Sequence, residues 1–460
     1  MAEVVILGAG LTGLSTAFHL EQLKIDYKIF EKNERPGGLL QSEQHEGFTF
    51  DHTGHLLHIS DDYFRNFLNG IADIQKNFDL IQRRSGVYSH NTLTDYPFQV
   101  NLHGLPSAII AECIEAFVKR KTSVRQPANF HEWVLKYFGE GFGKHFFFPY
   151  NRKILSYDIK KIHPSWTGRF VPQTNLESII QGALQPATGI GYNSSFYYPK
   201  VGGIEFLIRS LASQLKTPIT TNHQATQIDI QKKIITFSDG KTERYSTLIS
   251  TMPLDYLLKN LHEPSNSLLT HGASQLECNA VINYNLCFKK PIGLDKHWIY
   301  FPEKQLPFYR LGFWHNISAQ SVKTGHTAIY GEVSYLPGTK TPAQLHQLIN
   351  KCKKKTLDFL GFSSSDIVAE KNLHLDHAYV IYNQWRHQNL TKVINRLADH
   401  SIYSIGRFGE WKYSSMQEAV LDGKKMAETI FNTHQASILP AVIDHPIKSI
   451  QTSSRLKNLV

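Results

Sequence analysis

The sequence predicts an α/β protein: a nucleotide-binding βαβ unit opens the chain, a helical stretch follows, and a second, antiparallel sheet lies further on. Three observations carry this reading. An apolar run enters a glycine-rich turn at the N-terminus; apolar and aromatic residues recur at helical intervals between Pro106 and about 190; and β-branched and aromatic runs fill much of 279–385. With 460 residues, 41% apolar and 12% aromatic, the chain is too long and too apolar to be disordered and has material for about three domains. No run of about 18 apolar residues offers a membrane span. The net charge of +10 comes from scattered lysines and arginines rather than one stripe, so nucleic acid is not an expected partner. Cys113, Cys278, Cys287 and Cys352 show neither CxxC spacing nor a disulfide framework, and they read as reduced core thiols of a cytoplasmic protein. Met1-Ala2-Glu3 lacks the positive segment that a secretory signal needs before the apolar Val4 to Leu20 stretch.

Val4-Val5-Ile6-Leu7 is a continuous apolar strand, and it leads directly into Gly8-Ala9-Gly10-Leu11-Thr12-Gly13. Leu11, Leu14, Ala17, Phe18 and Leu20 then follow a mostly helical spacing, and a second strand, Tyr27 to Phe30, ends at Glu31. Each part has a job. Gly8 permits the tight turn, Gly10 lets backbone approach a pyrophosphate, and Gly13 lets helix and strand pack closely. The helix N-terminus, at Leu11 and Thr12, supplies amide donors, and Glu31 lies where a carboxylate accepts ribose hydroxyls. Downstream, 225–230, 233–237 and 247–250 read as short strands, Ala280 to Leu286 and Ala328 to Val333 as longer ones, and Pro342 to Leu360 as a helix. No internal repeat is present. The tail, 434–460, carries Pro440 and Pro446 without sustained periodicity and reads as peripheral.

Lys32-Asn33-Glu34-Arg35-Pro36-Gly37-Gly38-Leu39 resembles the second glycine motif of flavoprotein oxidases, which favours FAD over NAD. Further motifs follow in order: Phe48 to His58 with Gly54-His55, Tyr96-Pro97-Phe98-Gln99, Pro149-Tyr150-Asn151, Tyr198 to Gly203, Ser250 to Leu254, and Gly406-Arg407-Phe408-Gly409-Glu410-Trp411-Lys412-Tyr413. The series resembles the UDP-galactopyranose mutases, especially the eukaryotic-type branch, within the amine oxidase and protoporphyrinogen oxidase class. The resemblance spans about residues 4 to 432. It implies a Rossmann-type FAD-binding domain assembled from 1–80, 196–255 and 400–432, a helical insert over 100–190, and an antiparallel substrate sheet from 82–99 and 275–395.

In such mutases the reduced flavin attacks the anomeric carbon of a UDP-sugar through N5, the ring opens and recloses, and there is no net redox change. The resemblance therefore implies FAD, reduced by NADPH or NADH, and an anionic UDP-sugar as small-molecule substrate. It assigns cofactor binding to Gly8, Gly10, Leu11, Thr12, Gly13, Glu31, Lys32, Gly38, Leu39, Gly54, His55, Gly406, Arg407, Met416 and Gln417. It places Arg310 on the departing diphosphate, with Tyr300, Tyr379 and Tyr413 hydrogen-bonded to the same group, and His55 beside the isoalloxazine. An arginine suits that task because its planar fork meets phosphate oxygens bidentately.

The chain departs from the family at three positions. Phe148 replaces an arginine, with Arg152 one helical turn later as a candidate substitute; Ile317 replaces a tyrosine; and Thr53 replaces a glycine. His52, His55 and His58 also invite a metal reading, but HxxHxxH on a loop without partner cysteines is poor support and no metal is expected. Two rival functions stay open: an amine-oxidase-like or protoporphyrinogen-oxidase-like FAD oxidoreductase, and a non-enzymatic flavin-bound interaction module.

Overall fold

A computed structural model describes residues 4–122, 126–187, 194–262 and 268–438. The elements that position the site are β1 (Val4–Leu7), α1 (Leu11–Gln22), β2 (Tyr27–Phe30), β3 (Ser85–Ser89), β4 (Thr92–Asp95), α2 (Phe148–Leu155), β5 (Ile219–Thr220), β6 (Thr247–Ser250), β7 (Ala280–Phe288), β8 (Trp298–Tyr300), β9 (Arg310–Phe313), β10 (Thr327–Tyr335), β11 (Ile367–Leu375), β12 (Ile402–Ser404) and α3 (Met416–Ile438).

The first sheet is fully parallel, in the order β12-β6-β1-β2-β5. All four residues of β1 are buried, as the unbroken apolar run requires of a strand covered on both faces. The helix α3 crosses α1 closely, and Ser15 Oγ donates to the Val420 carbonyl at 2.7 Å. Of the three strands read in the middle of the chain, only β6 enters this sheet. Ala225–Asp229 and Ile234–Phe237 pair instead in a separate four-stranded sheet with Thr242–Arg244 and Leu261–His262.

The second sheet has seven strands, ordered β11-β7-β10-β9-β8-β3-β4. It departs from the expected antiparallel pattern at one pair, β8 with β3, which run parallel because β3 arrives from far upstream. Its outer face packs on the helix Pro342–Leu360, capped by Thr341 and Gln344 as its sequence signals. The inner face packs on Phe48, Phe50, Phe196 and Tyr198 and, around Tyr309, on Leu39 and Tyr150. Register places Asn283, Glu332, Arg310, Tyr300 and Val87 side by side in one row across that inner face, with Asn285, Tyr330, Gly312, Trp298 and Ser85 in the next. The helical stretch contains Ser107–Lys119, Phe130–Tyr137, α2 and Leu176–Leu184. At the far end, α3 continues to Ile438, past the expected boundary at 434; the rest of the tail lies outside the described residues.

Candidate active site

The glycine turn is built as its sequence demands. Gly8 has φ +99°, and a Cβ on Gly13 would fall 1.9 Å from the Gly8 carbonyl oxygen, so only glycine lets α1 approach β1 this closely. No side chain caps α1, and no acid lies in its first turn, which leaves the amides at Leu11, Thr12 and Gly13 directed at the turn. The second glycine loop folds against the first: the Gly37 amide donates to the Ala9 carbonyl at 2.9 Å, and a Cβ on Gly38 would sit 3.4 Å from Gly10 Cα. Glu31 is buried at the end of β2 and accepts from the Ala9 amide at 2.8 Å and the Asn33 amide at 3.0 Å. Lys32 is exposed beside it. Two apposed glycine turns, an uncapped helix N-terminus and a carboxylate at the second strand's end fit the pyrophosphate and ribose of FAD.

Leu39 connects this cradle to the substrate sheet, packing in one cluster with Tyr309, Tyr379 and Tyr150. From there an aromatic belt runs across the inner face. Ring centroids separate Tyr96 and Tyr300 by 5.1 Å, Tyr300 and Tyr150 by 5.4 Å, Tyr150 and Tyr309 by 6.5 Å, Tyr309 and Tyr379 by 6.5 Å, and Tyr379 and Tyr413 by 6.2 Å. The three tyrosines expected at the diphosphate are thus brought together, with Tyr150 and Tyr309 between them, which sequence reasoning did not single out. Asn279 fixes two of the belt's carriers: its side chain donates to the Ile154 carbonyl on α2 at 2.7 Å and accepts from the Tyr379 amide at 2.8 Å.

Two guanidiniums border the belt. Arg407 donates to the Ser414 and Ala378 carbonyls, both at 3.1 Å, and lies 6.0 Å from the Tyr379 ring centroid and 5.9 Å from that of Tyr413. Its Nε is buried without a partner. The guanidinium therefore faces the belt, while its neighbour Gly406 packs on Thr12 at the glycine turn. Arg310 is placed differently from the expectation. Its Nε and one Nη donate to the two carboxylate oxygens of Glu332 at 2.8 and 2.6 Å, so the fork expected to grip phosphate already grips a carboxylate. Burial works against the charge on Arg310, and the Glu332 carboxylate overrides it, holding the guanidinium well above its ordinary value. A glutamate in the middle of an otherwise apolar β run, Ala328 to Val333, was the available signal for this pair.

The Thr53-Gly54-His55 loop meets the inner face of the sheet at Tyr330, in the row beside that of Arg310. A Cβ on Gly54 would lie 2.2 Å from the Tyr330 hydroxyl, which is buried and has no hydrogen-bond partner. Thr53 has φ +77°, a left-handed conformation that a β-branched residue adopts only under strain and that glycine, the family's residue here, adopts freely. Burial, then the Arg407 and Arg310 guanidiniums, hold the His55 imidazole down at about 3, so it is neutral near pH 7. His52 turns instead to Glu43 at 3.4 Å and His58 to the Ser195 carbonyl at 3.0 Å, so the three histidines diverge.

The remaining expected residues fall at the margin. Met416 is partly buried and packs against the core of the nucleotide-binding layer. The Gln417 side-chain oxygen accepts from the Ser60 and Asp61 amides at 2.8 and 3.0 Å, so its amide group clamps the turn after the His55 loop rather than pointing free at a flavin. Phe148 stacks on His131, with centroids 4.4 Å apart, inside the helical insert. Arg152 does share its helix face, with the guanidinium 5.9 Å from the Phe148 ring centroid, but it is exposed and does not replace the missing arginine beside Arg310. Ile317 is buried in the cluster that holds Tyr330.

A cradle shaped for FAD, opening onto a tyrosine-lined face, agrees with the comparisons. The model of the flavin-containing amine oxidoreductases matches residues 11–344. The chain belongs to that family. Its structure is similar to the crystal structure of reduced UDP-galactopyranose mutase, with a TM-score of 0.88, 28% identity and coverage of 94% of each chain. A protoporphyrinogen oxidase homologue from Exiguobacterium sp. 255-15 shares the fold, with a TM-score of 0.72 and 16% identity over 94% of this chain and 98% of that one. Among curated relatives, the dTDP-fucopyranose mutase of Escherichia coli is 26% identical over 188 residues, 38% of this chain and 48% of that protein. The chain spans about half or less of the length of the curated relatives it matches first, from 11% to 48%. It is a mutase-like flavoprotein of the amine oxidase class and an enzyme, which sets aside the non-enzymatic reading. Among the described residues no helix is long and apolar enough to cross a membrane.

Proposed function

We propose that this protein is a mutase-type sugar-nucleotide flavoenzyme that interconverts the pyranose and furanose forms of a UDP-sugar. The observation that carries the reading is the belt of Tyr300, Tyr150, Tyr309, Tyr379 and Tyr413, bordered by Arg310 and Arg407. FAD, when bound and reduced by NADPH or NADH, supplies the nucleophile for the anomeric carbon. The chain's own residues do the rest. The tyrosine hydroxyls and the uncommitted Nη of Arg310 donate to the phosphate oxygens as charge builds on the leaving group, and their fixed positions spare reorganisation in the transition state. His55, neutral, can hydrogen-bond beside the cofactor without adding a charge.

In this reading 1–80, 196–255 and 400–432 form the FAD-binding domain, 100–190 the helical insert, and 82–99 with 275–395 the substrate domain. The four cysteines are free thiols, which supports a reducing compartment such as the cytoplasm. The test is turnover of UDP-galactopyranose and UDP-galactofuranose by the purified flavoprotein with and without dithionite. Interconversion confined to the reduced enzyme is expected; its absence under both conditions refutes the reading. His55→Ala should change the rate of flavin reduction more than FAD retention.

A second reading, hydride transfer to FAD from an amine or porphyrinogen, is favoured by the charge balance at Arg310: Glu332 cancels its charge, and Phe148, stacked on His131, supplies no second cation. Oxygen consumption with such a donor, and none of the sugar interconversion, would establish it.

A further inference from the structure

Arg310 and Glu332 are direct cross-strand partners on β9 and β10, so their meeting is set by sheet register rather than by flexible side chains. The pair uses Nε and one Nη of the guanidinium and both oxygens of the carboxylate. Glu332 has no exposed surface, and among the described residues Arg310 is the cation paired with it. A buried carboxylate stripped of its counter-ion is strongly unfavourable, so Arg310 cannot turn its fork toward an incoming phosphate. The edge that reads phosphate bidentately is therefore committed inside the protein. The pair's net charge is zero. Its neighbours in the row add none, and Arg407, the belt's other cation, lies at the far end beside Tyr413: Tyr309 donates its amide to the Glu332 carbonyl, the Tyr330 ring lies 5.8 Å from the guanidinium carbon, and Asn283 is next in the row with its Nδ2 buried and unpaired.

We propose that Glu332 is a specificity-determining positioning residue: it withdraws the charge and the forked edge of Arg310 from ligand binding, so that phosphoryl groups here are held by hydrogen bonds from a charge-balanced pair and from tyrosines rather than by an unpaired cation. The ligand would meet the second Nη of Arg310 and the tyrosine hydroxyls. A site of that kind favours a nucleotide sugar, which brings ring and hydroxyl contacts, over a compact polyanion that depends on charge alone. The proposal takes its ligand class from the mutase reading, whereas the masking of Arg310 stands apart from it.

The experiment measures binding of UDP and of inorganic pyrophosphate to the full-length FAD-loaded protein, followed by flavin absorbance across a salt titration. Wild-type affinity for UDP should change less than about threefold between about 0.05 M and about 0.5 M salt, because little net charge is engaged. Glu332→Gln, which keeps the size and removes the charge, should tighten pyrophosphate by at least about tenfold at low salt and make it salt-sensitive. Glu332→Asp, which keeps the charge, should show no such gain, a difference that a merely structural role would not produce. An unchanged or weakened pyrophosphate affinity in Glu332→Gln overturns the proposal. Should that variant fail to retain FAD, the wild-type titration decides, since a steep loss of UDP affinity with salt also overturns it. If wild type ignores UDP while Glu332→Gln gains pyrophosphate, the masking stands and the nucleotide-sugar reading falls. If wild type binds UDP and the variant gains nothing, the reverse holds.

Discussion

Replacing Gly54 by alanine tests the contact that joins the nucleotide-binding half of the site to the substrate sheet. The added Cβ would fall 2.2 Å from the Tyr330 hydroxyl oxygen and 3.0 Å from its Cζ, where uncrowded contact needs about 3.5 Å or more. Tyr330 has little room to yield. It is fully buried, its ring lies against Gly312, where a Cβ would come within 2.0 Å of the ring carbons, and Trp314 packs with centroids 4.8 Å apart. Gly54 itself does not occupy the left-handed region, so alanine adds no backbone strain and the effect is steric. Overpacking of this kind costs about 1–3 kcal/mol. Tyr330→Phe alone removes a buried hydroxyl that has no partner, so it should change stability by under about 1 kcal/mol. Combined, the two substitutions leave Cζ as the nearest atom, and the penalty of alanine should shrink by about 1–2 kcal/mol, read as the coupling energy of a double-mutant cycle. Chemical denaturation of the four FAD-loaded proteins, compared at equal slope, measures it. A Gly54→Ala protein as stable as wild type, or a cycle with no coupling, would refute the placement of Tyr330 against the loop.

Gly13→Ala should abolish FAD retention through purification, because its Cβ would lie 1.9 Å from the Gly8 carbonyl oxygen and force α1 from the turn; full flavin content would contradict this. Arg310→Ala should cost about 3–5 kcal/mol by leaving Glu332 buried without a counter-ion, and adding Glu332→Ala should restore most of it in the same denaturation assay. The folded-state value of His55, about 3, lies below the ordinary 6.5, so its neutral form stabilises the fold fully above pH 6.5 and that contribution is lost as pH falls from 6.5 toward 3. His55→Gln should therefore gain about 2 kcal/mol relative to wild type between pH 6.5 and about pH 5; parallel pH profiles would count against the burial of the imidazole.

The local parts of this molecule were readable in the sequence because their causes are local. The strand, glycine turn, helix, strand and terminal Glu31 form one contiguous unit, and the helix read over Pro342 to Leu360 has the bounds the sequence predicts, its start fixed by a local capping box at Thr341 and Gln344. The site was readable only in part. Arg310, Tyr300, Tyr379 and Tyr413 do converge, but the partner that neutralises Arg310 comes from a neighbouring strand and is chosen by register, which no short window of sequence specifies. Tyr150 sits inside the Pro149-Tyr150-Asn151 motif and Tyr309 beside Arg310, and only the packing of α2 on the sheet turns them into the belt's middle. The middle strands were legible as strands but not their sheet: Ala225–Asp229 and Ile234–Phe237 have ordinary strand patterns, and pairing alone decides which sheet takes them. The strain at Thr53 was visible as an odd residue in a glycine position, but its backbone angle was not.

The row of Asn283, Glu332, Arg310 and Tyr300 constrains how this enzyme can change over evolutionary time. Because side chains alternate between faces of a strand, inserting or deleting one residue within β7, β8, β9 or β10 would send its part of the row to the outer side and replace it with aliphatic groups, leaving a sound sheet with no chemistry on it. Divergence of substrate preference must proceed there by exchange of residues in place, whereas length variation is confined to the connecting loops, such as those spanning 289–297 and 302–307, which carry none of the row.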